Sequence, residues 1–260
     1  MKKRQKSLEQ HRKPITTFNI PSMWLIFGVV ALWQAVSLFG IVDAFVLPPP
    51  TSVINALIND MELLFYHGRY TLFNAMLGLF ISIVLGCFTA IVMDRFAWFS
   101  RAFYPILVLS QTVPYIAIAP LLVLWFGHGS TSQLILITLV CFFPVTVGMY
   151  DGLSNIKEEY LWVLSVMGGT YTKGLVFVKI PLAAPSFFSG AKIATTYCFV
   201  GAVIAEWLGG TRGLGVYMTR VRRTFEFDKM FAVIFVIVFI SIVAIGVLKL
   251  IERKVIKDVI

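Results

Sequence analysis

The chain has 260 residues, of which 58% are hydrophobic and only 13% are charged, and its mean hydropathy is +0.86. This composition excludes an ordinary soluble domain and indicates an integral membrane protein. The net charge of +9 does not point to nucleic-acid binding, because much of it flanks the predicted membrane helices.

A basic segment, residues 1–21, opens the chain and contains six Lys and Arg residues. The apolar stretch that follows, residues 22–42, is longer than the apolar part of a signal peptide and has no clear cleavage site. We therefore interpret it as a retained first helix. A basic segment directly before a membrane helix favours contact with anionic lipid over binding of nucleic acid.

Continuous apolar stretches predict an all-α, polytopic membrane protein with about six transmembrane helices. The predicted spans are residues 22–42, 72–93, 103–126, 134–150, 186–208 and 230–250. They give a transmembrane domain over residues 22–250, followed by a cytoplasmic tail, residues 251–260. Fifteen Lys and Arg residues lie on the side of both termini and six on the other, so we expect both termini in the cytoplasm. Arg220, Arg222 and Arg223 run against this rule and predict a structured connection that folds back.

The third predicted span contains two prolines, Pro114 and Pro120. Each removes a backbone donor and bends or unwinds a helix, so we do not expect a straight rod. Irregular backbone within a membrane is expected to line a cavity. The candidate pathway residues here are Gln111, Thr112, Tyr115 and Trp125. Ordinary packing between helices is the alternative explanation for each of them.

Between the fourth and fifth spans, residues 151–185 form a polar segment with a Gly-Gly break at its centre. Glu158 and Glu159 favour the start of a short helix, and Gly168 and Gly169 favour its end. A second short helix is expected to stop at Pro181. Two short helices joined at a glycine would make a compact docking surface, and an amphipathic interfacial loop is the alternative. The residues assigned to this surface are Glu158, Glu159, Leu164, Gly168, Gly169 and Pro181.

Glu206 lies near the end of the fifth span, in the sequence AEWLGG. A carboxylate at that depth is costly unless it is hydrated or paired, so Glu206 is a further pathway candidate. An interfacial carboxylate beside Trp207 is the alternative.

Cysteines and histidines do not predict a metal site. Cys87, Cys141 and Cys198 fall in three separate spans without Cys-x-x-Cys spacing, which is typical of packing residues. The three histidines are scattered at or near predicted loops.

Three stretches resemble the permease subunits of binding-protein-dependent ABC transporters. In residues 151–185, Gly168, Val178, Ile180 and Pro181 follow the order found in their cytoplasmic coupling loop, although its acidic position would fall on Trp162. Residues 111–153 and 189–217 are similar to the branch that imports nitrate, sulfonates, taurine and thiamine precursors. Within that branch, the sequence QTVPYIAIAPL resembles importers of pyrimidine precursors of thiamine.

The resemblance implies a permease subunit of an ATP-driven importer, working with cytoplasmic ATPase subunits, an external binding protein and a second permease copy. No phosphate-binding loop is present in the sequence, so we expect no cofactor on this chain and no enzyme activity of its own. Alkanesulfonate, taurine and nitrate are alternative solutes to a pyrimidine. An ion-coupled carrier and a membrane-embedded enzyme are alternative classes, but clear inverted repeats and catalytic motifs are missing from the sequence.

Overall fold

The computed structural model describes residues 20–166 and 168–259, which are helical apart from short connections. The predicted basic segment, residues 1–21, lies outside these residues except for its last two positions. Contacts divide the chain into two units, residues 1–55 and 56–260.

The first unit contains helix α1 (Ile20–Leu38) and the start of helix α2 (Pro50–Asn59). The connection between them is held by the Ser37 hydroxyl, which donates to the Leu47 carbonyl oxygen at 2.8 Å. Helix α1 ends earlier than the predicted span 22–42, because the chain turns at Gly40, whose φ is +67°.

The second unit is a bundle of long and short helices. They are α3 (Met61–Arg95), α4 (Ala97–Ser110), α5 (Tyr115–Phe126), α6 (Ser130–Ser154), α7 (Glu158–Val166), α8 (Tyr171–Gly174), a π-helical turn (Leu175–Lys179), α9 (Ile180–Gly209), α10 (Leu214–Arg223) and α11 (Phe227–Val259).

Four helical stretches of the described chain are long and apolar enough to cross a membrane, or five if the bent pair α4–α5 counts as one span. The prediction of an all-α, polytopic membrane protein is therefore confirmed, whereas the count of six spans is not. The helices also extend beyond the predicted spans: α3 begins at Met61 rather than at residue 72, and α6 covers 25 residues. Polar residues in their first and last turns hide these extensions from a hydropathy analysis.

Helices α4 and α5 meet at an angle of 99°. Pro114 lies at the break in an extended conformation, with φ −63° and ψ 117°. It has no N–H to continue the α4 ladder, which accounts for the break. The expectation that this span is not straight is confirmed. Pro120, in contrast, is accommodated inside the continuous helix α5.

Helix α6 forms the centre of the second unit, between α3 and α9. Small side chains allow these helices to approach closely, as is usual for membrane bundles. A Cβ atom on Gly190 of α9 would overlap the Pro144 carbonyl oxygen of α6. Cys141 and Cys198 are buried in the same contact, consistent with their predicted packing role.

Candidate functional site

At one end of the bundle, the described part of residues 158–181 is largely exposed, and we call it the surface segment. Its first helix, α7, begins at Glu158. After this helix the chain turns at Gly168, which adopts the left-handed conformation with φ +75°. The Gly169 N–H donates to the Leu164 carbonyl oxygen at 2.9 Å, the six-to-one bond of a Schellman motif. The predicted glycine break is therefore present, and both acidic residues lie in the first turn. The side chain of Glu158 is outside the described part.

Apolar side chains cover much of the outer surface of α7. Trp162 and Val166 are each 69% exposed, and Tyr160 and Val163 are also exposed, as is the acidic side chain of Glu159. An exposed cluster of this kind on a short helix is typical of a surface that binds another protein. Leu164 instead points partly inward, where it contacts Gly169.

The prediction that Pro181 stops the second short helix is wrong. Helix α8 continues through the π-helical turn directly into α9, so that residues 171–209 form one span. Pro181 lies in the first turn of α9, where a proline is tolerated because it follows a local change in the hydrogen-bond pattern.

The surface segment is attached to α3 through an ion pair that sequence analysis missed. Lys179 Nζ lies 2.7 Å from Asp94 Oδ1, and the Tyr171 hydroxyl donates to Asp94 Oδ2 at 2.9 Å. Since Asp94 precedes Lys179 by 85 positions, no local pattern pairs them.

At the α4–α5 bend, three of the five predicted pathway residues come together. Gln111 and Thr112 are exposed in the turn itself, and Tyr115 begins α5. Beside them lies a cavity of about 250 Å³, lined mainly by aliphatic and aromatic side chains. Its polar lining is limited to Ser110 and Tyr115, and none of its described lining residues is charged. Trp125 is exposed near the far end of α5, away from the bend.

Glu206 lies elsewhere, buried with only 2% of its surface exposed. Its Oε2 atom accepts a hydrogen bond from the Gly215 N–H at 2.8 Å, and its Oε1 atom accepts one from the Thr71 hydroxyl at 2.8 Å. Thr71 in turn accepts from the Leu214 N–H at 2.8 Å. These contacts favour a structural role for Glu206, and its part in transport stays a prediction.

The same contacts hold the N-terminus of α10. The Gly213 N–H donates to His67 Nδ1 at 3.1 Å, so three successive N–H groups, at residues 213–215, are satisfied by side chains. We call residues 67, 71, 206 and 213–215 the Glu206 cluster. Tyr217, one turn later, stacks on His67 and donates to Asp60. Burial, together with this hydrogen bond, raises the pKa of Tyr217 above its ordinary value.

The Glu206 cluster contacts the N-terminal third of α3, and the surface segment contacts its C-terminal end. Thr71 and Asp94 are separated by 23 positions, or about 35 Å at the rise of an α-helix. This distance is close to the ~30 Å thickness of a bilayer core. One end of the bundle therefore carries the apolar surface segment, and the other carries the folded connection with Arg220, Arg222 and Arg223.

Long apolar helices, a bent span beside a cavity and an exposed apolar helix are the features of a polytopic membrane protein. Among the described residues, no group of three or more His, Cys, Asp or Glu side chains is placed to hold a metal ion. The chain belongs to the family of binding-protein-dependent transport system inner membrane components, whose pattern matches residues 82–257. It is thus a permease subunit of an ABC importer, a component of transport rather than an enzyme, and the family places it in the cell membrane.

Individual relatives extend over most of the chain. A probable ABC transporter permease protein of Haemophilus influenzae is 37% identical over 84% of this chain and 89% of its own length. The formylaminopyrimidine transport permease protein ThiX of Halalkalibacterium halodurans is 35% identical over 90% of this chain and 93% of its own. The inward-facing MetNI methionine ABC transporter has the same fold, with a TM-score of 0.67 at 18% identity over 75% of this chain and 97% of that chain.

Proposed function

We propose that this permease passes a pyrimidine precursor of thiamine across the membrane. The observation that carries the proposal is the lining of the cavity at the α4–α5 bend, where aromatic and aliphatic side chains surround the hydroxyls of Ser110 and Tyr115. A flat, uncharged heteroaromatic solute suits such a surface, which offers stacking and a few hydrogen bonds. A sulfonate or nitrate ion would be expected to require an Arg or Lys partner.

One of the relatives supports the same assignment, and others are named for different solutes. The ThiX protein, named for formylaminopyrimidine transport, is 35% identical to this chain. An aliphatic sulfonate permease of Bacillus subtilis, SsuC, is 30% identical over 88% of this chain, and the taurine permease TauC of Escherichia coli is 28% identical. The pathway we propose includes Gln111, Thr112, Tyr115 and Trp125, and lies between two copies of this chain.

For the surface segment, we propose a cytoplasmic position and contact with the ATPase subunits. Its exposed apolar helix α7 offers them a docking surface. The C-terminal end of α11 lies on the same side, since Glu252 pairs with Lys192 at 2.8 Å in the half of α9 nearer to the surface segment. This arrangement supports a cytoplasmic C-terminus and an external position for the Glu206 cluster, on the side where a binding protein delivers the solute.

Uptake by proteoliposomes tests the substrate. The chain would be reconstituted with its co-purifying ATPase and with its binding protein, and ATP-dependent uptake would be measured for formylaminopyrimidine, taurine and nitrate. We expect uptake of the pyrimidine, reduced by Tyr115→Ala and retained in part by Tyr115→Phe, which keeps the ring. Uptake of an anion alone would contradict the substrate assignment, and uptake that follows an ion gradient without an ATPase would contradict the coupling to ATP.

Gly168 offers a matched pair of variants for the docking surface. Its φ is +75° and no atom lies within 4 Å of the position that a Cβ atom would occupy, so Asn and Asp, which tolerate this conformation, both fit. Gly168→Asp adds a negative charge at the end of α7, and Gly168→Asn adds the same shape without it. We expect Gly168→Asp to be inserted normally but to lose ATPase coupling, with Gly168→Asn much closer to the wild type. Full coupling in Gly168→Asp would count against docking at this surface.

A further inference from the structure

The family assignment gives no role to the residues that connect helix α7 of the surface segment to helix α9 of the bundle. Residues 171–179 begin one residue after the glycine break and end where α9 begins. Their second half, Leu175–Lys179, is a π-helical turn, and Pro181 follows it. A π-helical turn next to a proline weakens the regular helical ladder, so this short stretch is suited to act as a hinge.

Both ends of this hinge are attached to one carboxylate. Tyr171, at its start, donates to Asp94 at 2.9 Å, and Lys179, at its end, contacts both carboxylate oxygens at 2.7 and 2.9 Å. Asp94 is 5% exposed and Lys179 is 14% exposed, so water screens the ion pair only weakly. The guanidinium of Arg95 also lies 4.5 Å from the centre of the Tyr171 ring.

We propose that Asp94 is the positioning residue that couples the surface segment to helix α3. A partner that displaces α7 would pull on Tyr171 and Lys179, and their shared carboxylate would pass the displacement to the last turn of α3. Without the ion pair, the hinge would absorb the displacement locally. This inference rests on the proposed docking of the ATPase at the surface segment, and it adds the residues that transmit the movement.

The chain provides a control of matching chemistry. Lys192 of α9 forms an ion pair with Glu252 of α11 at 2.8 Å, away from the hinge, and both of its side chains are more exposed than those of the Asp94–Lys179 pair. Lys179→Met breaks the proposed link, Lys179→Arg preserves its charge, and Lys192→Met breaks the control pair. Because Lys179→Met leaves a buried carboxylate without its cation, the double variant Asp94→Asn/Lys179→Met removes both charges and avoids that destabilisation.

Each variant would be reconstituted with the ATPase and the binding protein. Three quantities would be measured: ATPase co-purification, ATP hydrolysis and solute uptake per ATP hydrolysed. For Lys179→Met and for the double variant we expect normal co-purification and a fall of at least roughly five-fold in uptake per ATP, the lower end of typical coupling factors. Lys179→Arg and Lys192→Met should remain near the wild-type ratio.

Separate results overturn the inference and the function on which it rests. If the wild-type chain couples but the double variant has the same ratio, the Asp94–Lys179 ion pair transmits nothing and the inference is wrong. An equal fall in Lys192→Met would assign the effect to general loss of ion pairs and would also overturn it. If the wild-type chain binds no ATPase, the proposed docking fails, and the inference fails with it.

Discussion

The structure predicts a specific loss of stability for the substitution Gly213→Ala. Gly213 has φ +119° and ψ 165°, a conformation open essentially to glycine alone. A Cβ atom there would also overlap the carboxylate of Glu206. The substitution therefore strains the backbone and displaces the side chain that holds the N-terminus of α10.

The two effects can be estimated separately. Backbone strain of this kind costs about 1–3 kcal/mol. Displacing Glu206 loses at least one hydrogen bond to a charged group, which costs about 1.5–3 kcal/mol. We therefore expect a total loss of about 2.5–6 kcal/mol, which is a large part of the stability of a typical folded domain, about 5–15 kcal/mol. Gly127 provides the control, because it has a similar conformation, with φ +79° and ψ 177°, and no atom within 4 Å of a Cβ position.

Thermal unfolding of the detergent-solubilised protein measures the difference, with the monodisperse fraction after heating as the signal. Gly127→Ala should show the strain alone, and Gly213→Ala should be clearly less stable. A double-mutant cycle with Glu206→Ala separates the collision from the strain, because removal of the carboxylate leaves Gly213→Ala with only its backbone cost. Equal losses in Gly127→Ala and Gly213→Ala, or full additivity in the cycle, would refute this account of the Glu206 cluster.

Three further substitutions have definite outcomes. Asn74 donates a hydrogen bond to the buried Gln133 side chain at 2.9 Å. Asn74→Leu should therefore cost about 1–3 kcal/mol of stability, because it leaves the Gln133 amide oxygen unpaired. The double variant with Gln133→Leu should recover much of this loss in the same thermal assay. Gly190→Ala should separate α6 from α9 and cost about 1–3 kcal/mol, whereas Gly246→Ala, with open space around it, should be neutral. Because the pKa of Tyr217 is raised in the folded state, its contribution to stability is intact below about pH 10 and is lost as the pH rises further. The stability of Tyr217→Phe should fall less steeply in that range.

The sequence predicted those features that depend on neighbouring residues. Pro114 predicted the break between α4 and α5, because a missing N–H acts on the helix that contains it. Gly168 and Gly169 predicted the end of α7 for a similarly local reason. Pro181 led to a wrong prediction, since its effect depends on the π-helical turn before it, and that turn has no signal in the residue pattern.

Contacts between distant residues could not be predicted in this way. Glu206 was selected because a carboxylate near a membrane boundary requires a partner, but Thr71, which supplies one, lies 135 positions earlier. The AEWLGG and GLG sequences carried a usable signal, because closely spaced glycines beside a carboxylate indicate a tight backbone approach. Asp94 carried none, since it lies at the end of an apolar helix where a lone carboxylate is ordinarily solvated.

Both of these missed contacts use α3, which gives that helix a larger role than its apolar sequence indicates. Its C-terminal end holds the surface segment through Asp94, and its N-terminal third holds the Glu206 cluster through Thr71. Between them, Gly78 and Gly86 bring α3 so close to α6 that a Cβ atom at either position would overlap a side chain. Helix α11, in contrast, packs little against the bundle, since only 11% of its most apolar 18-residue stretch is buried. With the proposed role of Asp94, a displacement at one end of the bundle would pass along α3 and α6, and apolar substitutions on the exposed face of α11 should leave transport unchanged.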